Sequence, residues 1–176
     1  MSRKVTLDEK DIKILNILQY NCRLSAKEIA QEIGSPTTTV YAKIKRMEKL
    51  GIIKGYNALI NPKAIGKGAT AFILASFAYS NPKLETLLSQ REVAKEIASF
   101  PEVQEVHIIS GDWDLLIKVR AEDVESIGRF VIDKLRTVKG IEKTLTCMVF
   151  DSTKETLNVD IPNVKELIVR QGKSRK

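Results

Sequence analysis

Cysteine is scarce in this chain, and its two cysteines lie far apart. Cys22 and Cys147 are the only ones among 176 residues, and no second cysteine or histidine stands close to either. This spacing does not fit the CxxC pairs or Cys/His clusters of zinc sites, and it argues against a disulfide framework. We therefore expect no metal, no cofactor, and two reduced cysteines that are mostly buried.

Long apolar runs are also lacking. No stretch approaches the roughly 18 consecutive apolar residues of a membrane-spanning helix. The first ten residues carry charges with no apolar run behind them, which is not the pattern of a secretory signal. We expect a cytoplasmic protein without a membrane partner. The 43% of hydrophobic and 29% of charged residues are typical of a globular chain that can bury a core.

Positive charge is concentrated at the two ends of the chain. Residues 1–60 contain 11 Lys and Arg against six Asp and Glu, whereas residues 61–169 contain 14 against 16. The last seven residues add four cations, Arg170, Lys173, Arg175 and Lys176. A basic head, a near-neutral body and a basic tail indicate a polyanion as the partner of the head.

Two helices are predicted at the start of the basic head. Apolar residues recur at helical spacing from Asp8 to Tyr20, and acidic residues fill the first turn. Ser25 and Glu28 have the spacing of a capping box, which starts a short second helix. Gly34 ends this second helix.

A third helix is predicted from the N-cap Ser35 to about Leu50, with Pro36 at its first position and Gly51 as its C-cap. One face is apolar, and the other has short hydroxyl groups near its start and cations further along. A recognition helix needs this arrangement to reach base edges and phosphates in the major groove of DNA. The alternative is an ordinary amphipathic helix with its charges in water. The predicted DNA-binding residues are Ser35, Thr37, Thr38, Thr39 and Tyr41, with Thr37, Thr38 and Tyr41 at base edges, and Lys43, Lys45, Arg46, Lys49 and Lys54 at phosphates.

A two-stranded wing is predicted directly after the third helix. Residues 51–60 contain two short β-prone runs around Lys54-Gly55, which would place Lys54 at the tip. A short helix, a tight turn, a longer helix and a wing form a more specific combination than any single basic helix.

The residues of this head resemble the N-terminal domain of the Lrp/AsnC family of transcription regulators. The resemblance is carried by Leu7-Asp8 with Asp11 and Ile14-Leu15, by the pattern from Ser35 to Glu48, and by residues 51–56 with Asn61-Pro62. It continues to about Glu155. We therefore expect a sequence-specific, double-stranded-DNA-binding transcription regulator, with a DNA-binding domain at 1–60 and a linker at 61–68.

The body is predicted to be an α+β domain of the ferredoxin-like order βαββαβ, over residues 69–155. The predicted elements are strands at 69–80, 103–110, 115–121 and 141–150 and helices at 84–100 and 123–136. Alternation of Leu115, Ile117 and Val119 with polar neighbours indicates one sheet face that takes the helices. The other, mixed face is left free for a second subunit.

The resemblance implies that this domain binds an amino-acid effector and dimerises through its sheet, with dimers assembling into tetramers or octamers. Carried over from the family, the effector site consists of a hairpin turn and one residue of the last strand: Gly111, Asp112, Trp113, Asp114 and Thr146. A carboxylate holds an ammonium group and turn amides hold a carboxylate, which suits an amino acid. The alternative is a plain polar hairpin turn.

Two other functions are compatible with the sequence. The chain could compact DNA as an architectural protein without an effector, aided by its basic tail. It could also be a decarboxylase-type enzyme with His107 as acid and Arg120 as substrate clamp, although a lone histidine on a strand is more often structural. The extension from 156 to 176 is predicted to form a short helix around Val164, Leu167 and Ile168 that docks on a neighbouring subunit.

Overall fold

A computed structural model describes residues 2–78, 89–161 and 167–170, with the backbone alone for 2–5 and 167–170. The chain divides into two compact units. The first unit contains the residues up to Leu59 and those from Glu155 onward, and the second contains Ile60 to Lys154. Each unit has its own hydrophobic core. None of the helices in the described part is long and apolar enough to cross a membrane.

Three helices build the first unit: α1 at Glu9–Tyr20, α2 at Ala26–Ile33 and α3 at Thr37–Lys49. Capping boxes start the first two. Asp8 and Asp11 bond reciprocally to each other's backbone amides at the start of α1, and Ser25 and Glu28 do so at α2. Such caps satisfy amides that the first helical turn leaves without partners. The predicted positions of all three helices are confirmed to within about two residues.

The start of α3 differs from the prediction. The helix begins at Thr37 with Pro36 as its N-cap, and no side chain caps it. Ser35 instead completes the end of α2, because its backbone amide donates to the carbonyl of Ala30 at 2.9 Å. The end of α3 is a left-handed turn at Gly51 (φ 70°), where the amide of Ile52 donates to the carbonyl of Met47 at 2.9 Å.

The prediction of two paired strands at 51–60 is wrong, because no strand is present in this segment. The amides of Ile52 and Ile53 are bonded to the end of α3, and both side chains pack against the core of the first unit. The hydroxyl group of Tyr56 donates to Glu48 on α3. The β-prone residues therefore bond to the end of α3 and pack against the core, and they form no hairpin.

The prediction of a helix in the C-terminal extension is also wrong where the structure describes it. Leu167 and Ile168 lie in strand β6 (Leu167–Arg170), which pairs antiparallel with β1 (Ser2–Val5). Val164 lies outside the described residues. An apolar run this short suits either a helix or a strand, and here the backbone of β1 decides it.

The second unit has the predicted βαββαβ order. Its elements are β2 (Ala69–Phe77), α4 (Gln90–Ala98), β3 (Val103–Ile108), β4 (Leu115–Ala121), α5 (Val124–Arg129) and β5 (Ile141–Met148). The sheet order is β3-β4-β2-β5, and every neighbouring pair is antiparallel. Residues 79–80 of the predicted first strand and 84–88 of the predicted first helix lie outside the described residues.

The second predicted helix is interrupted after Arg129. A π-helical turn at Phe130–Lys134 and a 3₁₀ turn at Leu135–Thr137 follow α5. The wider π turn brings residues four to five apart onto one side, and Phe130 and Leu135 are both buried in the core.

One face of the sheet is covered as predicted. Leu115, Ile117 and Val119 of β4 are buried together with Ala71, Ile73 and Ala75 of the neighbouring strand β2.

The prediction of mostly buried cysteines is wrong, because Cys147 is exposed and Cys22 is half-buried. Cys147 lies on the edge strand β5, where alternate side chains point to opposite faces of the sheet. It pairs with Phe72, and both point to the face that the helices do not cover.

Candidate nucleic-acid interface and ligand-binding unit

The exposed face of α3 begins with hydroxyl groups. Val40 and Met47 are fully buried and fix the rotation of the helix against α1 and α2. That rotation leaves Thr37 and Thr38 exposed and Tyr41 57% exposed, whereas Thr39 is half-buried. Short donors and acceptors of this kind suit base edges in a groove. The half-buried Ser35 lies just before the helix, and its hydroxyl accepts from the ammonium group of Lys10.

Four of the five predicted phosphate-binding cations are exposed to solvent, and three of them, Lys45, Lys49 and Lys54, contact no buried acid among the described residues. Lys45 lies 2.8 Å from Glu48 and 5.8 Å from the centre of the Tyr41 ring. Lys49 and Lys54 are exposed, and neither has an ion pair within the part of the chain that the structure describes. These cations can reach an anion without leaving a buried partner behind.

Glu48 connects α3 to the segment that follows it. Its carboxylate accepts from Lys45 and from the hydroxyl group of Tyr56, and these two bonds lower the pKa of Glu48. Burial, together with the bond to Glu48, raises the pKa of Tyr56 to about 12. Tyr56 therefore stays a neutral donor at physiological pH and holds residues 51–56 against the helix.

Lys43 and Arg46 are held by acidic residues of α1. The ammonium group of Lys43 contacts Asp8 and lies 3.2 Å from Asp11, and only 16% of the Lys43 side chain is exposed. Arg46 lies 2.5 Å from the other carboxylate oxygen of Asp11. Asp11 is fully buried, so it is the residue that ties α3 to α1. Sequence reasoning did not assign this role to Asp8 and Asp11, although their capping-box spacing marks them as ordered acids.

The predicted effector turn, Gly111 to Asp114, joins β3 to β4. Gly111 has a φ of 121°, which favours glycine, and Asp112 is exposed while Trp113 is half-buried. The carboxylate of Asp114 accepts from the backbone amide of Phe77 at 2.8 Å and lies 3.4 Å from the side-chain nitrogen of Gln90. Asp114 thus holds the end of β2 and the start of α4 beside the turn.

Thr146 lies away from this turn within one chain. It pairs with Ile73 of β2, and Ile73 pairs with Ile117 of β4 on the other side. Two strand spacings separate Thr146 from β4, which is about 10 Å. One chain therefore does not bring all five predicted effector residues together.

His107 and Arg120, the residues of the enzyme hypothesis, are also apart. His107 pairs with Leu116, four residues from Arg120 along β4, which corresponds to about 13 Å. The exposed His107 ring bonds to Glu105, and Arg120 bonds to Gln104 and Thr70.

The free face of the sheet carries an apolar patch at its centre. Leu74 pairs with Leu116 on one side and with Leu145 on the other, and Phe72 pairs with Cys147. Phe72 is 36% exposed and Leu145 is 46% exposed. We call these five residues the sheet patch.

Known families and proteins match both units. The winged helix-turn-helix DNA-binding family matches residues 7–54, and the Lrp/AsnC ligand binding domain family matches residues 76–159. An HTH-type transcriptional regulator of Pyrococcus abyssi is 44% identical over 86% of this chain and 97% of its own length. The chain belongs to the Lrp/AsnC family. It is a DNA-binding transcription regulator of this family, and its second unit is the family's ligand-binding domain.

Other Lrp/AsnC relatives extend the comparison. The HTH-type transcriptional regulator FL11 of Pyrococcus horikoshii is 33% identical over 90% of this chain and 99% of its own length. A transcriptional regulator of Neisseria meningitidis, solved as a complex with L-methionine, has a similar fold with a TM-score of 0.80. It is 28% identical and covers 88% of this chain and 97% of its own.

Proposed function

We propose that this regulator reads a specific DNA sequence with α3 and that a bound amino acid tunes its action. Thr37, Thr38 and Tyr41 are the residues for base edges, because they are exposed near the start of the helix. Lys45, Lys49 and Lys54 contact phosphates. The exposed hydroxyl-then-cation face of α3 carries this proposal, since a packed helix with this face fits the major groove.

We propose a narrower role for the remaining cations. Lys43 is mostly buried against Asp8 and Asp11, so its contact with phosphate requires an ion pair to open. Arg46 keeps 45% of its side chain exposed and can contact phosphate while it touches Asp11. Ser35 and Thr39 complete the surface beside these residues.

Gel-shift titration of the chain on DNA from its own promoter, and on a scrambled control, tests DNA reading. Lys45→Ala should weaken binding to both DNAs alike and make the salt dependence less steep by about one unit of slope. Lys143→Ala, which removes an exposed cation from the ligand-binding unit, is the matched control. If Lys45→Ala lost affinity for the promoter DNA alone, the assignment of Lys45 to a phosphate would be contradicted. If the intact chain bound neither DNA, the proposed DNA-reading function would be wrong.

The effector is proposed to be an amino acid bound at Gly111, Asp112, Trp113, Asp114 and Thr146. The match to a ligand-binding family and the L-methionine complex of the Neisseria regulator support this proposal. Because β2 separates Thr146 from the turn in one chain, the site is completed where two or more copies meet. Asp112 is the carboxylate for the ammonium group, since Asp114 already holds the amide of Phe77.

A thermal-shift screen of the twenty amino acids tests the effector. A ligand of the native state raises the melting temperature in a concentration-dependent way. Asp112→Asn should abolish the shift, whereas Glu142→Gln, on the last strand, should leave it unchanged. If promoter DNA binds and no amino acid raises the melting temperature, the alternative function is favoured, in which the protein compacts DNA without an effector.

The sheet patch is proposed as the dimer interface, from which tetramers or octamers assemble. An exposed apolar patch at the centre of a sheet is stabilised by a copy of itself across a twofold axis. Two recognition helices related by this axis would read half-sites about 34 Å apart.

We place the regulator in the cytoplasm. We assign it no catalytic activity, because His107 and Arg120, the residues of the enzyme hypothesis, are about 13 Å apart along the sheet.

A further inference from the structure

The ligand-binding unit contains a cavity at one end of its sheet. Its volume is about 360 Å³, which falls within the roughly 300–1,000 Å³ of small-molecule sites. Lys67 precedes β2, Glu102 precedes β3 and Glu122 follows β4, and these three residues line the cavity where the strands begin or end. The other side is lined by residues of α5 and of the π-helical turn that follows it. All of them belong to the second unit, so one folded unit forms the cavity by itself.

The cavity is separate from the proposed effector turn. That turn ends at Asp114, directly before β4, whereas the cavity lies where β4 ends at Ala121. A strand of seven residues is about 20 Å long, so about this distance separates the two places. Ile127 of α5 packs on the buried face of the sheet, opposite the sheet patch. Within one chain, a ligand in the cavity therefore contacts neither the effector turn nor the patch.

The π-helical turn forms part of the cavity. Its first residue, Phe130, is buried in the core and also lines the cavity, and Asp133 and Lys134 line it as well. Such turns are rare in proteins and are found frequently at functional sites. Here the turn presents a carboxylate and an ammonium group to the cavity while Phe130 stays in the core.

Glu102 is an acid with only one of its two oxygens paired. Its Oε1 accepts from the ammonium group of Lys134 at 2.6 Å, whereas its Oε2 is buried and has no hydrogen-bond partner among the described residues. Burial raises the pKa of Glu102, but the hydrogen bond from Lys134 and the charges of Lys134 and Lys67 outweigh it, so the pKa lies below its ordinary 4.5. Glu102 is therefore ionised at physiological pH. A buried carboxylate oxygen without a donor is unfavourable, and a ligand that donates to this carboxylate would be stabilised.

Unpaired negative charge exceeds unpaired positive charge around the cavity. Glu122 and Asp133 are exposed, and neither forms an ion pair within the part of the chain that the structure describes. Two of the lining cations, Arg129 and Lys134, already form ion pairs with acids. Lys67 is the lining cation that has no such pair among the described residues. The charges of the cavity thus favour a cation as its ligand.

We propose that this cavity is a second ligand site and that it binds a small primary amine through its ammonium group. The ammonium group donates to Glu102, because the terminal bond of a glutamate turns easily and can present Oε2 to the cavity. A hydrogen bond between ionised groups is about twice as strong as one between neutral groups. The apolar part of the amine contacts Ala121 and Phe130, which also line the cavity. This site goes beyond the proposed function, since it requires neither DNA nor an effector at the turn.

Compounds of equal chain length with different head groups test the ligand class. Butylamine hydrochloride should raise the melting temperature of the full chain in a concentration-dependent way, beyond the effect of sodium chloride at the same concentration. Butanol, which is neutral, and sodium butyrate, which is anionic, should not do so. Absence of a rise with butylamine, or an equal rise with butanol, would overturn the proposal.

Glu102→Gln tests the location of the site. It keeps the size of the side chain and removes its charge, so the apparent affinity for butylamine should fall about tenfold or more. Glu142→Gln, at an exposed acid of β5, is the matched control and should bind butylamine like the wild type. Asp112→Asn, in the effector turn, should also leave butylamine binding unchanged. Binding that is lost in Asp112→Asn and kept in Glu102→Gln would place the amine at the turn and contradict the cavity site.

A second variant keeps the test decisive if Glu102→Gln is too unstable to measure. Glu122→Gln with Asp133→Asn removes two exposed charges from the cavity, so the fold should persist, which circular dichroism verifies. The affinity for butylamine should fall several-fold. Wild-type affinity in this variant would contradict the choice of a cation as the ligand.

L-Norvaline separates an amine site from a second amino-acid site. It is butylamine with a carboxylate on the carbon that bears the ammonium group. In the Asp112→Asn protein it should bind more weakly than butylamine, because the unpaired acids of the cavity repel its carboxylate. Tighter binding of norvaline than of butylamine in this variant would overturn the ligand class. The outcome does not depend on the gel shifts or on the amino-acid screen, so failure of the proposed function would leave this proposal standing.

Discussion

Arg46 of α3 lies 2.5 Å from the carboxylate of Asp11 on α1, and the Asp11 side chain is fully buried. The other oxygen of Asp11 lies 3.2 Å from the ammonium group of Lys43. The same carboxylate also accepts from the backbone amide of Asp8 at 2.9 Å. One buried acid therefore sets the position of α3 and completes the cap of α1.

Removing this acid should destabilise the DNA-binding unit. Asp11→Ala leaves Lys43 with only Asp8 and deprives Arg46 of its partner, and we expect a loss of about 2–4 kcal/mol in the free energy of unfolding. Urea denaturation followed by circular dichroism measures this loss. Glu9→Ala, which removes an exposed pair with Lys13 in the same helix, should have little effect. Equal stability of Asp11→Ala and the wild type would show that Asp11 does not carry the helix contact.

Asp8 should make the stability of the unit depend on acidity. The hydrogen bond from Lys43 is the main cause that lowers the pKa of Asp8 below its ordinary 3.8. Because the folded pKa lies below the unfolded one, the stabilisation is present above about pH 4 and is lost as the pH falls through the folded pKa. Asp8→Asn keeps the capping oxygen but removes the charge.

The test compares the free energies of unfolding of wild type and Asp8→Asn at several pH values. The variant should be less stable near pH 6, and the difference should shrink as the pH falls below 3.8 and disappear below the lowered, folded-state pKa of Asp8. Glu142→Gln, an exposed carboxyl on the second unit, should follow the wild-type curve. A constant difference at all pH values would contradict the ion pair with Lys43.

Base reading should depend on Thr38. Thr38→Ala removes a hydroxyl group from the exposed start of α3 without touching the core, so the fold should stay intact. We expect binding to the specific site to weaken by about 1 kcal/mol, roughly 5-fold, with scrambled DNA unaffected. Competition gel shifts measure the ratio. Equal loss on both DNAs would assign Thr38 to a phosphate instead of a base edge.

Dimerisation should depend on the sheet patch. Leu145→Asp places a charge in the patch, where a buried and unpaired carboxylate is strongly unfavourable, and should produce monomers in analytical ultracentrifugation. Val124→Asp, at an exposed apolar residue of α5, is the matched control. Dimers that persist at wild-type strength in Leu145→Asp would place the interface elsewhere.

Local patterns in the sequence were sufficient for most of the secondary structure. The capping box at Ser25 predicted the start of α2, because its partner Glu28 is only three residues away, and the acidic first turn after Asp8 predicted the start of α1. Alternation in residues 115–121 predicted both the strand and its buried face. The exposed Thr37, Thr38 and Lys49 were also predictable, since the apolar face of α3 determines which residues remain outside.

The sequence by itself determined the three-helix head, the βαββαβ order of the ligand-binding unit and the exposed face of α3. Only the tertiary structure decided that Asp11 contacts Arg46 and that the extension pairs with β1. It also decided that residues 51–60 form no hairpin, because Ile52 and Ile53 bond to the end of α3. It also decided that β2 separates Thr146 from the turn. Each of these features joins elements that are built separately, so no local pattern of residues specifies them. Helix caps and strand alternation are contacts between near neighbours, whereas ion pairs and strand pairing follow from packing.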